Sequence, residues 1–180
     1  MKRVLDTGAQ GIVVPQVRNA TEVREIVAAC RYPPVGKRGY GPRRAASYGH
    51  SGNAEYLKAA ERDLFLTVQI ENVEALEDLD AIVAVPGLDS IFIGPYDLAF
   101  SMGLRGDVND ARVGEAIETI LAKAGARGLP VGMGMGPEPE FAVRAAALGV
   151  RWIQVGGDLS FMVQFAREMF AGIRKRIGEA

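Results

Sequence analysis

Apolar and β-branched residues gather in five short runs along the chain, with polar and turn-forming residues between them. Within each run the apolar residues follow one another directly instead of alternating with polar ones, which predicts strands that are buried on both faces. We predict strands over residues 11–15, 64–70, 90–94, 130–134 and 151–156.

Helical periodicity fills the intervals between these strands. Apolar residues spaced by three and four follow Asn19, a favoured capping residue, and predict a helix that begins near Ala20. Similar stripes predict further helices over residues 73–83, 113–124 and 141–148, and a long last helix from Asp158. The Met and Phe side chains of the last helix predict packing against the barrel or against another subunit.

This alternation of strand and helix predicts parallel strands joined by right-handed crossovers. A length of 180 residues favours an open doubly wound sheet, because closed (β/α)8 barrels need roughly 200 residues or more. Residues able to bind ligands follow nearly every strand, however, which is typical of TIM barrels: Gln16, Glu71, Asp97, Gly136 and Asp158. We therefore predict one α/β domain over residues 1–180, covering the last five βα units of a TIM-type barrel and missing the first units.

Composition and charge exclude several classes of partner. The formal net charge is −1, so no overall field favours nucleic acid or an anionic membrane. A single cysteine, Cys30, fits a reducing compartment, and no apolar run is long enough to cross a bilayer. We expect a cytoplasmic protein that binds a small molecule.

Two acidic residues stand at the ends of neighbouring predicted strands. Glu71 and Asp97 lie about one βα repeat apart, so both carboxylates are expected at the same rim of the sheet. Carboxylates this close repel each other unless a cation lies between them, and oxygen ligands suit Mg²⁺ or Mn²⁺. The alternative is structural: Glu71 caps the next helix and Asp97 begins a turn.

The segment after the third strand, Gly94-Pro95-Tyr96-Asp97-Leu98, suits an acid ligand. Its glycine permits close approach, and a helical first turn offers free N–H groups to a carboxylate. A small 2-oxo acid could chelate a cation that stabilises its enolate. The glycine-rich run of residues 132–136 is interpreted as a strand end that leaves space above the site. Because no lysine lies at this rim, Schiff-base chemistry is disfavoured.

Six motifs in order resemble the metal-dependent class II pyruvate aldolases of the HpcH/HpaI type. The motifs are Leu5-Asp6-Thr7-Gly8, Val14-Pro15, the segment of residues 31–39 around Pro33-Pro34, Val68-Gln69-Ile70-Glu71, Gly94-Pro95-x-Asp97-Leu98 and Val155-Gly156-x-Asp158. The resemblance spans nearly the whole chain and implies an eight-unit barrel that this chain enters just before the fourth strand.

The resemblance also implies roles for individual residues. Glu71 and Asp97 are expected to bind a divalent metal, which is Mg²⁺, Mn²⁺ or Co²⁺. Gln69 is expected beside the bound oxo acid, whose carboxylate the backbone amides of Tyr96 and Asp97 would hold. Asp6 matches an acid that orients a catalytic histidine.

The implied reaction is cleavage of a 4-hydroxy-2-oxo acid to pyruvate and an aldehyde by a homo-oligomer, either a trimer or a hexamer. The family's catalytic histidine and an arginine belong to segments before Met1, and the only histidine, His50, lies in the glycine-rich stretch of residues 32–53. The alternative is therefore a catalytically impaired remnant or oligomerisation module that keeps the rim. A phosphate-binding open sheet would need a glycine-rich turn after the first strand, where Pro15-Gln16 stands instead.

Overall fold

The computed structural model describes residues 1–136 and 138–178 and contains one parallel sheet. Every predicted strand is present, and each bound lies within one residue of its prediction. The predicted burial holds for the three central strands and is wrong for the first and the last, which are partly exposed. The strands are β1 (Gly11–Val14), β2 (Phe65–Ile70), β3 (Ser90–Ile93), β4 (Val131–Met135) and β5 (Trp152–Val155).

The order of the strands decides between the two predicted architectures. Each strand pairs in parallel with the next one along the chain, in the order β1-β2-β3-β4-β5. A doubly wound sheet reverses its order at a switch point, and this sheet does not. The sheet also curls, because the rings of Phe65 on β2 and Trp152 on β5 lie 6.0 Å apart although two strands separate them. The fold is therefore an α/β half-barrel, as expected of an incomplete TIM barrel.

Helices lie before, between and after the strands, and those between the strands pack on the convex face of the sheet. They are α1 (Lys2–Leu5), α2 (Ala20–Cys30), α3 (Asn53–Asp63), α4 (Val73–Glu77), α5 (Leu79–Val83), α6 (Pro95–Ser101), α7 (Ala111–Ala126), α8 (Pro139–Ala147) and α9 (Asp158–Ile177). The predicted start of α2 is confirmed, since the Asn19 side chain accepts hydrogen bonds from the N–H groups of Thr21 and Glu22.

Two helical predictions need correction. The single helix expected over residues 73–83 is broken at Asp78, whose carboxylate accepts a hydrogen bond of 2.7 Å from the N–H of Ala20. Helix α3 was not predicted, because Tyr56 is its only buried residue and no apolar stripe marks it.

Side chains alternate between the two faces of the sheet. Leu66, Val68 and Ile70 are fully buried in the main core, which lies between the sheet and its helices. Each such aliphatic side chain contributes about 1.5–3 kcal/mol relative to exposure. The intervening residues Thr67 and Gln69 face the concave side, where the strand ends carry the polar site.

Helix α9 leaves its apolar side chains exposed. No residue of this helix is buried, and Phe165 is 67% exposed. Two packing surfaces were predicted for α9. The first, the barrel sheet of its own chain, is wrong, because α9 does not pack on it. Among the described residues, no helix combines the length and apolar character needed to span a membrane.

Candidate functional site

Three strand ends meet at the carboxyl edge of the sheet. Gln16 follows β1, Glu71 follows β2 and Gly94 follows β3. The registers pair Val14 with Val68 and Ile70 with Ile93, so these three residues lie side by side. The parallel sheet thus assembles one site from segments far apart in sequence.

Glu71 is the buried acid of this site. Its residue is 3% exposed, yet its carboxylate contacts only neutral donors among the described residues. Oε1 accepts hydrogen bonds from the backbone N–H of Gln16 at 2.7 Å and from the Gln16 side-chain amide at 3.0 Å. Oε2 accepts a short hydrogen bond from the side-chain amide of Gln69. The carboxylate is therefore fixed in place, and its negative charge is not neutralised.

The pKa of Glu71 depends on its burial and on the charge of Asp97. Burial raises the pKa of Glu71 above its ordinary value, and the negative charge of Asp97 raises this pKa further. The hydrogen bonds from Gln16 and Gln69 act in the opposite direction. Asp97 lies in the first turn of α6 and is exposed. Glu71 follows β2, and Asp97 lies in the helix after the paired strand β3, so both carboxylates are at the same edge of the sheet. Glu71 is buried there, and Asp97 is exposed to solvent.

Gly94 leaves room for the Glu71 carboxylate. A Cβ atom at Gly94 would lie 2.5 Å from Nε2 of Gln69, 2.8 Å from Oε2 of Glu71 and 3.0 Å from its Cβ. Ordinary side chains do not tolerate such distances, so the site requires glycine here. The close approach of an acid ligand at this position stays a prediction, because the atoms that Gly94 accommodates here belong to Gln69 and Glu71.

The alternative interpretation, in which Glu71 caps the next helix, is wrong. Asn72 caps α4, because its side chain accepts a hydrogen bond of 2.8 Å from the N–H of Ala75. The same side chain donates to the carbonyl of Val17 at 2.9 Å, which links the ends of β1 and β2. Glu71 is thus left to the site. Tyr96 is the second residue of α6, where first-turn amides have no partner within the helix.

The glycines of β4 make room for aromatic rings. A Cβ at Gly132 would lie 2.1 Å from the ring of Trp152, and one at Gly134 would lie 2.8 Å from Phe92. These rings pack with their centroids 4.7 Å apart on the concave face. The prediction that residues 132–136 leave empty space above the site is therefore wrong at these two glycines, where the aromatic rings fill the space.

Within one chain, Asp6 does not lie beside Gln16, Glu71 and Gly94. It precedes β1, and its neighbours Leu5 and Gly8 line a cavity of about 150 Å³ with Leu64, just before β2. This is the amino-end side of the strands, opposite to Glu71. The structure does not bring Asp6 together with the other predicted site residues within one chain.

Two cations hold the Asp6 carboxylate. Arg38 donates to Oδ1 at 2.7 Å, and Lys2 forms an ion pair with Oδ2. Burial acts to raise the pKa of Asp6, but the hydrogen bonds from Lys2 and Arg38 outweigh it and keep the pKa below its ordinary value. Arg38 is itself buried and lies over the ring of Tyr32, 4.6 Å from its centroid.

The donor set at the carboxyl edge suits a hard divalent cation. Within residues 1–136 and 138–178, no three Asp, Glu, His or Cys side chains converge on one point. Mg²⁺ sites commonly use one or two carboxylates, with water and substrate as the remaining ligands. The pair of Glu71 and Asp97 fits this arrangement, and Gly94 lets the Glu71 carboxylate keep its position.

Sequence reasoning did not assign a role to two residues of this site. Gln16 was noted only as a residue at a strand end, and Asn72 was not singled out. Each stands two residues after the end of a strand, one position beyond the signal that identified Glu71. Their partners, however, lie about 55 residues away along the chain, so only the register of the sheet reveals the contacts.

Comparison with known proteins gives a consistent result. A family model described as "HpcH/HpaI aldolase/citrate lyase" matches residues 1–164. The chain is 40% identical over 169 residues to a hydroxypyruvate/pyruvate aldolase from Pseudomonas aeruginosa, with 94% of this chain and 63% of the relative covered. It is 38% identical to a 4-hydroxy-2-oxo-heptane-1,7-dioate aldolase from Salmonella paratyphi C, with 100% and 69% covered.

A solved structure supports the same relationship. The crystal structure of an HpcH/HpaI aldolase from Desulfitobacterium hafniense superposes with a TM-score of 0.88 at 30% identity. The match covers 96% of this chain and 67% of that one. The chain thus spans about two thirds of the length of these proteins, and slightly less for the Pseudomonas aeruginosa relative.

Proposed function

The chain belongs to the HpcH/HpaI aldolase/citrate lyase family, and we propose that it forms the metal-binding part of a carbon–carbon lyase. The proposed reaction cleaves a 4-hydroxy-2-oxo acid to pyruvate and an aldehyde. The names of the relatives, which are pyruvate and hydroxy-oxo acid aldolases, support this substrate class.

In this proposal Glu71 and Asp97 hold Mg²⁺, Mn²⁺ or Co²⁺. When bound, the cation supplies Lewis-acid polarisation of the 2-oxo group. Gln69 lies beside the oxo acid, and the backbone amides of Tyr96 and Asp97 bind its carboxylate. Because Asp6 lies away from Glu71 within one chain, the role of orienting a histidine is assigned to it only at a site completed by another copy of the chain. The observation that carries the proposal is a buried, un-neutralised Glu71 carboxylate whose pKa is raised by burial and by the charge of Asp97.

Exchange of the methyl protons of pyruvate tests this function without an aldehyde. The protein is incubated with pyruvate and Mn²⁺ in D₂O, and the methyl signal is followed by NMR. We expect exchange in the wild type, its loss on chelation, and its loss in Glu71→Gln. Glu74→Gln, which changes an exposed acid on α4, is the matched control and should exchange normally.

Two outcomes would contradict the proposal. Exchange that persists in Glu71→Gln would remove Glu71 from the chemistry. No exchange in the wild type at any Mn²⁺ concentration, with Mn²⁺ still bound, would favour the impaired remnant instead.

The proposed enzyme is a homo-oligomer in which α9 packs on another copy of the chain. Exposed Phe161, Met162, Phe165 and Phe170 on one helix form an apolar surface that an isolated soluble chain rarely presents. Since α9 buries nothing on its own chain, a second copy is the partner that this proposal assigns to it. A trimer or a hexamer is the expected assembly.

A further inference from the structure

Gln16 occupies a place in the site that the proposed function does not explain. It stands two residues after β1, directly beside the carboxyl end of β2. Its backbone φ is 58°, which lies in the left-handed region that side chains other than glycine rarely adopt. Such a conformation costs of order 1 kcal/mol and persists where surrounding contacts enforce it.

The contacts of Gln16 show what the unusual backbone achieves. Both its N–H, at 2.7 Å, and its side-chain amide, at 3.0 Å, donate to the same oxygen, Oε1 of Glu71. The left-handed conformation allows two donors of one residue to reach one atom. Gln69 donates to the other oxygen, Oε2.

These donors leave Glu71 with a defined capacity to bind a cation. A carboxylate has about four acceptor positions, and three are used by the amides of Gln16 and Gln69. The remaining position lies on Oε2, which accepts from Gln69 alone, and Gly94 carries no side chain that would displace this oxygen. Because amides are neutral, they fix the carboxylate without cancelling the negative charge that attracts a cation. A lysine or arginine in the same place would cancel that charge.

We propose that Gln16 is a positioning residue that holds Oε1 of Glu71 and so directs Oε2 toward the divalent cation. This inference rests on the proposed function, because it assumes that Glu71 is a metal ligand. Removing a hydrogen-bond partner of a ligand typically weakens metal binding about 10–100-fold. The side-chain amide of Gln16 is therefore expected to matter more for metal affinity than for folding, since Gln16 itself is exposed.

The test measures Mn²⁺ affinity by electron paramagnetic resonance, in which the signal of free Mn²⁺ decreases as the protein binds it. Gln16→Met removes the side-chain amide and keeps the backbone N–H, and we expect affinity to fall about tenfold. Gln16→Asn retains an amide on a residue that tolerates the left-handed region, so it should stay within about threefold of wild type. Gln10→Met is the matched control, because Gln10 lies at the opposite end of β1.

The outcomes separate this inference from the proposed function. Wild-type affinity in Gln16→Met would overturn the role of Gln16 and leave the metal site intact. An equal loss in Gln10→Met would also overturn it, because the effect would then be one of general stability. Failure of the wild type to bind Mn²⁺ would refute the proposed function, and this inference with it.

Discussion

Gly94→Ala tests how tightly the site is built. The backbone at Gly94 has φ −104° and ψ 85°, which alanine can adopt, so the consequence of the added methyl group is steric. That methyl group would lie 2.5 Å from Nε2 of Gln69 and 2.8 Å from Oε2 of Glu71. Both atoms are the ends of flexible side chains, and they must move by roughly half an ångström or more to restore contact distances.

The structure predicts that the substitution harms metal binding more than stability. Overpacking costs about 1–3 kcal/mol, and the lower end applies here because the blocked atoms can move aside. The Glu71 carboxylate, however, then leaves the position fixed by Gln16, and Mn²⁺ affinity should fall at least about tenfold. Gly114→Ala is the control, since Gly114 lies inside α7 with nothing within 4 Å of an added Cβ. It should stabilise the fold by about 0.5–1 kcal/mol.

Urea denaturation gives the free energy of unfolding, and isothermal titration calorimetry gives the affinity for Mn²⁺. If Gly94→Ala binds Mn²⁺ as wild type does, the carboxylate of Glu71 is not confined as described. A stability loss well above 3 kcal/mol without further loss of affinity would show that Gly94 serves packing and not the site.

Three further predictions concern the charges and the exposed helix. Asp97→Asn removes a negative charge and should lower the pKa of Glu71, seen as a lower midpoint in ¹³C NMR titration of the metal-free protein; an unchanged midpoint would separate the two acids. Arg38→Met breaks one of the two ion pairs of Asp6 and should cost about 1.5–3 kcal/mol in urea denaturation at pH 7, because Lys2 still compensates the carboxylate. Because the pKa of Asp6 is lowered in the fold, this difference should shrink as the pH falls below its ordinary value of 3.8, and a pH-independent difference would contradict the pairing. Phe165→Glu should give smaller species than the proposed homo-oligomer in size-exclusion chromatography with light scattering, whereas a mass equal to that of the wild type would exclude this part of α9 from an interface.

The strands and the acidic pair were predictable because their signals are local. Continuous apolar runs marked every strand, and the position of Glu71 directly after such a run placed it at the carboxyl edge. Asn19 likewise predicted the start of α2, since a cap acts on the N–H groups of the next three residues.

The remaining features depend on contacts between distant segments. The break at Asp78 follows from its hydrogen bond to Ala20, and no nearby residue signals it. The ion pair of Asp6 with Arg38 joins residues across an irregular segment, so no periodicity reveals it. Helix α3 was not predicted for a different reason. It buries only Tyr56, so it lacks the apolar stripe by which helices are identified.

The proposed function depends on one divalent cation bound by Glu71 and Asp97 at the carboxyl edge of the sheet. Crystals soaked in Mn²⁺ and measured for anomalous scattering locate that ion directly. We expect one strong anomalous peak within bonding distance of carboxylate oxygens of both residues. A peak bound to neither residue, or no peak at saturating Mn²⁺, would contradict the proposed function.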